Sequence, residues 1–411
     1  MNSLIAVRRR CPPRGFSLVE LMISLAIGSV IVIALVSLFV NASRSNRDIA
    51  RNNSMIENGR FAMHAIREDA WHAGYWINHV PRFDDVAFKD TPDDVPVLTD
   101  LVPNPCLAYS TPWTTNYRKA LIAVPVQAYE SATFCSSIVQ NKAPGTDVLV
   151  VRRAATCEPY TLGVGDCEPF GASSAELRFQ NSLCEDELDP PEVGGVKPPA
   201  TLFKLSNVTG DLTLKKRDCT TFAGIRRFVS NIYYVRTYAT TPGDGIPTLV
   251  RSRFGVNGGV LGQLPAEPLV EGIEGFRVEF GIDNLSKSGE AVNPSAAVVF
   301  TDPYDLSTPR NRGDGSPDGA FIRCRDLTPC TNAQMMNAVV MRVHVIARGQ
   351  DPVIGYTDDR IYDMGSAPSM CRIGSSAAGC DFKTLTADYR RQMFTSALRL
   401  ANVAARRELP P

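Results

Sequence analysis

The chain has 411 residues, 43 basic and 43 acidic side chains, 44% apolar residues and 8% aromatic ones, the composition of a folded protein with one large core or two. No glycine-rich, glutamine-rich or charge-block segment occurs, and the balanced charge removes the electrostatic footprint of a nucleic-acid binder. The 29 prolines and 30 glycines fall almost wholly after residue 73, so many short turns are expected there rather than a helical bundle.

The first forty residues are different material. Arg8, Arg9, Arg10 and Arg14 precede an apolar stretch with no acidic residue among them, a membrane-directed start that places the arginines on the cytoplasmic side. From Leu21 to Val40 there are twenty residues without a charge, enough for about 30 Å of helix, the thickness of a bilayer's hydrocarbon. No comparable run follows, so everything beyond it is expected on one side of the membrane. The cysteines agree with that topology. Of eleven, only Cys11 precedes the span, while Cys106, Cys135, Cys157, Cys167, Cys184, Cys219, Cys324, Cys330, Cys371 and Cys380 follow it, with no C-x-x-C spacing. An even exported set reads as a disulfide framework in an oxidising compartment rather than as a zinc site. Order alone does not fix the pairing. The pairs near in sequence, Cys157 with Cys167, Cys324 with Cys330 and Cys371 with Cys380, are the expected ones.

Within the apolar run sits Glu20. A carboxylate there costs about 2.5 to 3.5 kcal/mol on insertion scales, so it needs a partner or a route to the surface. A cut between Gly15 and Phe16 would create one, a free α-amino group one helical turn away or on an adjacent copy. The alternative is a glutamate that snorkels at the membrane edge with the leader still attached. The core is too long, and lacks the small-residue site, for an ordinary secretory signal. The string Arg14-Gly15-Phe16-Ser17-Leu18-Val19-Glu20-Leu21-Met22-Ile23 resembles the prepilin processing motif of type IV pilins and type II secretion pseudopilins. The resemblance implies cleavage after Gly15 by a prepilin peptidase, methylation of the new terminus at Phe16, and a filament-docking role for Glu20. Processing would leave 396 residues and a net charge of −4, since all four charges lost are arginines.

No proline occurs between Pro13 and Pro81, and beyond the span Ala42, Ile49, Ile56, Met63 and Ala70 recur every seven residues, with Ile66 and Ala73 filling the intermediate turn. This predicts one helix over 16–73, membrane-spanning at about 18–40, whose second half carries an apolar packing face and stops at Gly74. Arg47, Arg51, Glu57, Arg60, Arg67, Glu68 and Asp69 are expected mainly off that face. A coiled-coil seam is the alternative. The stretch Glu57-Asn58-Gly59-Arg60-Phe61-Ala62, with Arg67-Glu68-Asp69 and Ala73-Gly74-Tyr75, is similar to PilW-type minor pilins.

After Gly74 the pattern turns to strands. Val148–Arg153 follows a Pro-Gly turn, and Asn231–Thr237 and Thr248–Arg253 flank Pro242-Gly243-Asp244-Gly245 as the arms of a hairpin. Phe276–Phe280 and Met341–Ile346 alternate with period two, which predicts one packed face and one facing water. The Tyr233-Tyr234-Val235-Arg236 strand with its turn, Val270-Glu271-Gly272-Ile273-Glu274, and the ending Tyr389-Arg390-Arg391-Gln392-Met393-Phe394 also resemble PilW-type proteins. Residues 82–143 and 155–220 hold most of the cysteines and read as variable loops.

Catalytic and metal motifs are absent from the sequence. The four histidines, His64, His72, His79 and His344, have no convincing partner spacing; His64 and His72 read as surface residues of one helix face and His344 as a strand residue. Gly255–Gly262 cannot be a nucleotide loop because Pro265 prevents a following helix. The acidic stretch 312–319, near Asp302 and Asp305, lacks calcium-loop spacing and reads as solvated. Trp71, Tyr75 and Trp76 read as core contacts at the junction of helix and body.

The expected fold is α+β: a long amino-terminal helix, half membrane-spanning and half amphipathic, packed on an antiparallel β-sheet body (74–411) with long disulfide-bonded loops, a pilin-like arrangement. Residues 1–15 are the expected leader. The resemblance implies a non-enzymatic minor pilin, without cofactor or metal, that helps initiate type IV pilus assembly near the filament tip. Its implied partners are other minor and major pilins, the prepilin peptidase, the inner-membrane assembly machinery and a tip adhesin. The implied location is the inner membrane, single-pass with the body in the periplasm, and then the pilus. The alternatives are a type II secretion pseudopilin of the GspJ kind, and a membrane-anchored extracytoplasmic binding protein or adhesin.

Overall fold

The computed structural model describes residues 15, 17–109, 113–157, 176–302, 305–365, 370–372 and 386–407. The chain divides into two compact units, 1–53 and 54–411. One helix, α1 (Leu18–Trp71), contributes to both. It contains no proline and no glycine other than Gly28 and Gly59, so nothing breaks its backbone ladder. Its end is set by Gly74, which adopts φ +72° and donates its N–H to the Arg152 carbonyl; only glycine enters that left-handed region without strain.

In the first unit the apolar side chains from Leu18 to Val40 are exposed, and the helix is long and apolar enough to cross a membrane.

The second unit is built from the rest of α1, two main antiparallel sheets and, among the described residues, a further two two-stranded pairs. After α2 (Thr115–Ala123) come β1 (Val126–Tyr129), β2 (Val148–Ala154), β3 (Arg178–Asn181), the short α3 (Glu185–Leu188), β4 (Phe203–Ser206), β5 (Ile225–Arg236), β6 (Thr248–Asn257), β7 (Val260–Gln263), β8 (Glu267–Glu271) and β9 (Ile273–Ile282). Then follow β10 (Phe300–Asp302), β11 (Asp305–Pro309), α4 (Asn332–Met336), β12 (Ala338–Arg348), β13 (Ile361–Asp363), β14 (Met370–Arg372), β15 (Arg391–Arg399) and α5 (Ala401–Ala404). The larger sheet runs β1-β2-β5-β3-β4, with β6 on β5 and β7 and β8 on β6; the smaller is β15-β12-β9, and the two-stranded pairs are β10-β11 and β13-β14. The hairpin around the Pro-Gly-Asp-Gly turn joins β5 to β6 with Arg236 opposite Thr248, and Gly258-Gly259 turns β6 into β7.

Alternation along each strand decides what faces the helix. Phe276, Val278 and Phe280 of β9 stand opposite Val345, Val343 and Met341 of β12. These share one core with Leu149, Val151, Tyr233, Val235 and Leu249 of the larger sheet and with Met55, Ala62, Ile66 and Ala70 of α1. The other faces of β9 and β12 depart from the sequence expectation, for most of their residues are buried. Arg277, Glu279 and His344 are buried beneath the segments around Phe321 and Gly365, which pack on this face. His344 Nδ1 pairs with Thr395 Oγ1 at 3.0 Å and its Nε2 lies 3.4 Å from Glu279 Oε2, while Arg342 lies over the Phe321 ring. Paired charges make that burial tolerable where unpaired ones would not be.

The outer edge of β9 is closed by Asp147, just before β2. The Asp147 N–H donates to the Phe276 carbonyl at 2.8 Å, its carboxylate accepts from Val278 N–H at 3.0 Å, and Arg323 grips it at 2.7 Å. One residue therefore joins the two sheets and removes an open edge.

Candidate functional site

The amino-terminal end of α1 carries an arrangement that the processing motif alone does not suggest. Ser17 N–H donates to Glu20 Oε2 at 3.1 Å, and Glu20 N–H donates to Ser17 Oγ at 3.2 Å. This is a capping box: two of the helix's orphan amide donors are satisfied by reciprocal side chains. Glu20 thus starts its own helix, besides any contact it makes elsewhere. The signal was present in sequence as Ser-x-x-Glu. Gly15 has open space around it. Phe16 lies outside the described residues.

The second arrangement ties α1 to the body. Met55, Gly59, Ala62, Ile66, Asp69 and Ala70 are the buried residues of the helix, a stripe repeating at three- and four-residue steps. Of the heptad positions singled out from sequence, Ala70 is buried, Ile56 and Met63 are half-buried at its flank, and Ala42 and Ile49, in the first unit, are exposed. A strict seven-residue repeat drifts about 20° per heptad around a straight helix, so the face in contact is not the one a fixed register marks. Gly59 sits at the closest approach: a Cβ there would lie 2.1 Å from the Phe394 ring. Trp71 is exposed, contrary to the sequence reading, whereas Trp76 is buried, donates its indole N–H to the Ile122 carbonyl at 3.1 Å and stacks on Phe228.

Asp69 is the larger departure. Expected off the packing face, it is buried, and its carboxylate accepts from Arg153 Nε at 2.9 Å, Asn231 Nδ2 at 2.7 Å and the Tyr233 hydroxyl at 3.0 Å. Burial, reinforced by the Asp69 charge, pushes the Tyr233 hydroxyl far above its ordinary pKa, which keeps it a donor. The network floors a cavity of about 390 Å³ bordered by Phe61, His64, Glu68, His72, Arg251 and Leu269. Sequence pattern could not find Asp69, because the donors that make its burial affordable come from strands more than eighty residues away.

Disulfides join Cys106 to Cys135, Cys184 to Cys219 and Cys324 to Cys330. Cys157 is disulfide-bonded as well. Cys167 and Cys380 lie outside the described residues, as does the side chain of Cys371. The first two bridges also join cysteines consecutive in the sequence, 29 and 35 residues apart. Cys184, Cys219 and Asp186 come together as a metal site would, but the two sulfurs are bonded to each other and cannot serve as thiolate ligands. His64 and His72 both turn to Glu68, the first 4.0 Å from its carboxylate and the second 2.9 Å from its carbonyl. His79 is buried and held neutral: burial first, then the charges of Arg406 and Arg82, lowers its pKa to about 3. The acidic loop 312–319 is occupied by its own chain. Asp314 and Gly315 donate their N–H groups to Asp283, and Asp318 accepts from Asn284 and Leu285. The side chains of Asp302 and Asp305 lie outside the described ones.

Two family descriptions match the chain. "Prokaryotic N-terminal methylation motif" matches residues 12–36, the segment of the capping box and the exposed apolar helix. "Type IV Pilus-assembly protein W" matches residues 232–402, from the second half of β5 through the small sheet to α5. The two matched segments are those that a PilW-type minor pilin carries. No curated protein matches it. Among solved structures, a type IV-like pilin from Thermus thermophilus is similar at 15% identity, covering 43% of this chain and 70% of that one, with a TM-score of 0.19. The PilW match takes in Phe394, which packs beside Gly59, and Tyr233 of the Asp69 network, so the seam on α1 involves the matched region directly.

Proposed function

We propose that this chain is a minor pilin of the PilW type that is inserted in the inner membrane with its body in the periplasm, is cut between Gly15 and Phe16 and methylated there, and then joins other pilins to prime assembly of a type IV pilus near its tip. The observation that carries this reading is the pairing, in one chain, of the methylation motif on 12–36 with the PilW domain on 232–402. The apolar side chains of residues 18–40 are exposed among the described residues, and lipid or the helices of neighbouring subunits would cover them. Removal of the leader would leave a new ammonium beside the Ser17–Glu20 cap, and Glu20 could then exchange its intrachain amide partner for the terminus of an adjacent subunit. The chain's role is structural, and no step of catalysis is assigned to its residues.

The experiment is the intact mass and amino-terminal sequence of the protein from its own membranes. Loss of residues 1–15 with a methylated Phe16 is the expected result, and a chain that still begins at Met1 overturns the reading. In the processed strain, loss of twitching motility on deletion supports the pilus, whereas loss of protein secretion with motility intact supports a secretion pseudopilin instead.

A further inference from the structure

A cleft of about 400 Å³ lies between one face of α2, residues 93–94 and the segment 199–203 that enters β4, within the range of about 300–1,000 Å³ that ligand pockets occupy. Its three walls are fixed to one another and to the body. Val97 N–H donates to Asn116 Oδ1 at 2.8 Å, and Asn116 Nδ2 to Asp100 Oδ2 at 3.2 Å, which ties the 93–100 stretch to α2. Arg82 holds Asp93 at 3.1 Å, and Thr201 N–H donates to the Glu187 carbonyl at 2.8 Å. The Phe203 ring lies 6.0 Å from Phe179 and 5.5 Å from His79. A site assembled before its ligand arrives loses little to ordering when it binds.

Two groups that line this cleft lack partners. Arg118 is half-buried, its Nε is shielded from solvent without an acceptor, and among the described residues nothing engages its guanidinium. Asp94 is 5% exposed; its Oδ2 accepts from Arg82 N–H at 2.8 Å, while its Oδ1 is buried with no donor. Nearly all buried polar groups in folded proteins are paired, so a donor without an acceptor and an acceptor without a donor at one cleft specify a ligand that carries both complements. Charge narrows its chemistry. Arg82 neutralises Asp93, Asp94 is a carboxylate at pH 7.5 although burial raises its pKa to about 6, and Arg118 and Lys119 both line the cleft, so a single positive charge is left over. A monoanion answers it, and the two oxygens of a carboxylate match the guanidinium fork. The donor that Asp94 needs is then a hydroxyl, because an ammonium would restore the excess charge. Pro199, Ala200 and the half-buried Phe203 form an apolar wall that the C–H face of a saturated ring would cover.

We propose that the cleft binds a hexuronate, a sugar with one carboxylate, free or as a unit of an acidic polysaccharide, holding the carboxylate on Arg118, a ring hydroxyl on Asp94 Oδ1 and the ring on Phe203. Binding requires neither removal of the leader nor entry into a filament.

The test is calorimetric titration of the full-length protein, in detergent at pH 7.5, with glucuronate, galacturonate, glucose, acetate and inorganic phosphate. At least one uronate is expected to bind tenfold or more tightly than glucose, acetate and phosphate. Arg118→Gln, which removes a guanidinium that holds nothing else among the described residues, should weaken that uronate at least tenfold. Asp94→Asn should weaken it at least fivefold, because Arg82 N–H claims the amide oxygen and leaves an NH2 donor where the ligand hydroxyl needs an acceptor. This variant relieves a buried charge and is expected to fold more stably than the parent, so its loss of binding cannot come from unfolding. Lys287→Gln, at an exposed position elsewhere, should bind as the parent does. No uronate binding, phosphate or acetate binding as tightly as the uronate, or parental affinity in either cleft variant overturns the proposal.

Discussion

Replacement of Asp69 tests the account of how the helix is fixed to the sheet. Asp69→Ala removes the acceptor of three hydrogen bonds at 2.7 to 3.0 Å and strands the Asn231 amide and the Tyr233 hydroxyl, both buried. Each buried donor left unpaired costs about 1–3 kcal/mol, and the bond from Arg153 to a charged acceptor is worth about 1.5–3 kcal/mol. The adjoining cavity admits water to part of the network, which places the total near the low end, about 3–4 kcal/mol. Asp69→Asn keeps the shape and one acceptor oxygen and should lose about 1–2 kcal/mol. The assay is urea unfolding of the full chain in detergent with its disulfides oxidised, followed through the fluorescence of buried Trp76 and Trp113. Combining Asp69→Asn with Tyr233→Phe should show a coupling of about 1 kcal/mol. If Asp69→Ala stays within about 0.5 kcal/mol of the parent, as an ordinary surface change would, the carboxylate does not anchor the helix.

Three further outcomes follow from particular residues. Gly59→Ala gains about 1 kcal/mol of helix propensity but drives a methyl into the Phe394 ring, so a net loss of about 1–2 kcal/mol is expected; in a Phe394→Ala background the same change should become stabilising, and equal effects in both backgrounds would deny the close contact. Asp94 is buried, and that burial raises its pKa to about 6. A raised carboxyl contributes stability that is complete below its unfolded pKa near 4 and is lost as pH rises through 6. Asp94→Asn should therefore gain about 2–3 kcal/mol on the parent between pH 4 and pH 7.5, and parallel stability curves for the two proteins would contradict it. Asp244 is the opposite case, held down to about 2 by the amide N–H groups of Ile246 and Thr240 first and then of Ala239 and Thr241. Its contribution is present above pH 4 and lost as pH falls through 2; hydrogen exchange at Ala239–Thr241 should accelerate over that interval, and in Asp244→Ala it should be fast throughout.

What could be read from the residues was what depends on short spacings. The membrane-length apolar run, the glycine stop at Gly74 and the β5–β6 hairpin are each written in a few consecutive side chains, and each stands in the structure where the pattern put it. The capping box was written there too, as Ser17 and Glu20, and was hidden only by the more familiar meaning of that glutamate.

The features that sequence could not supply are those whose partners lie far along the chain. An aspartate on a helix looks like a surface residue until Arg153, Asn231 and Tyr233 converge on it; the charged faces of β9 and β12 look solvated until the segments around Phe321 and Gly365 cover them. The links from Cys106 to Cys135 and from Cys184 to Cys219 close loops of 29 and 35 residues that no short spacing marks. The amino-acid sequence by itself determined that the chain carries an apolar run of membrane-spanning length, a prepilin-type start and a β-rich, cysteine-bearing body, because hydropathy, charge and turn chemistry are local quantities. Only the tertiary structure decided which helix face is buried, which acids are kept there and which apolar side chains remain uncovered, because a buried charge or a closed edge is stable only when a distant residue arrives to pair with it.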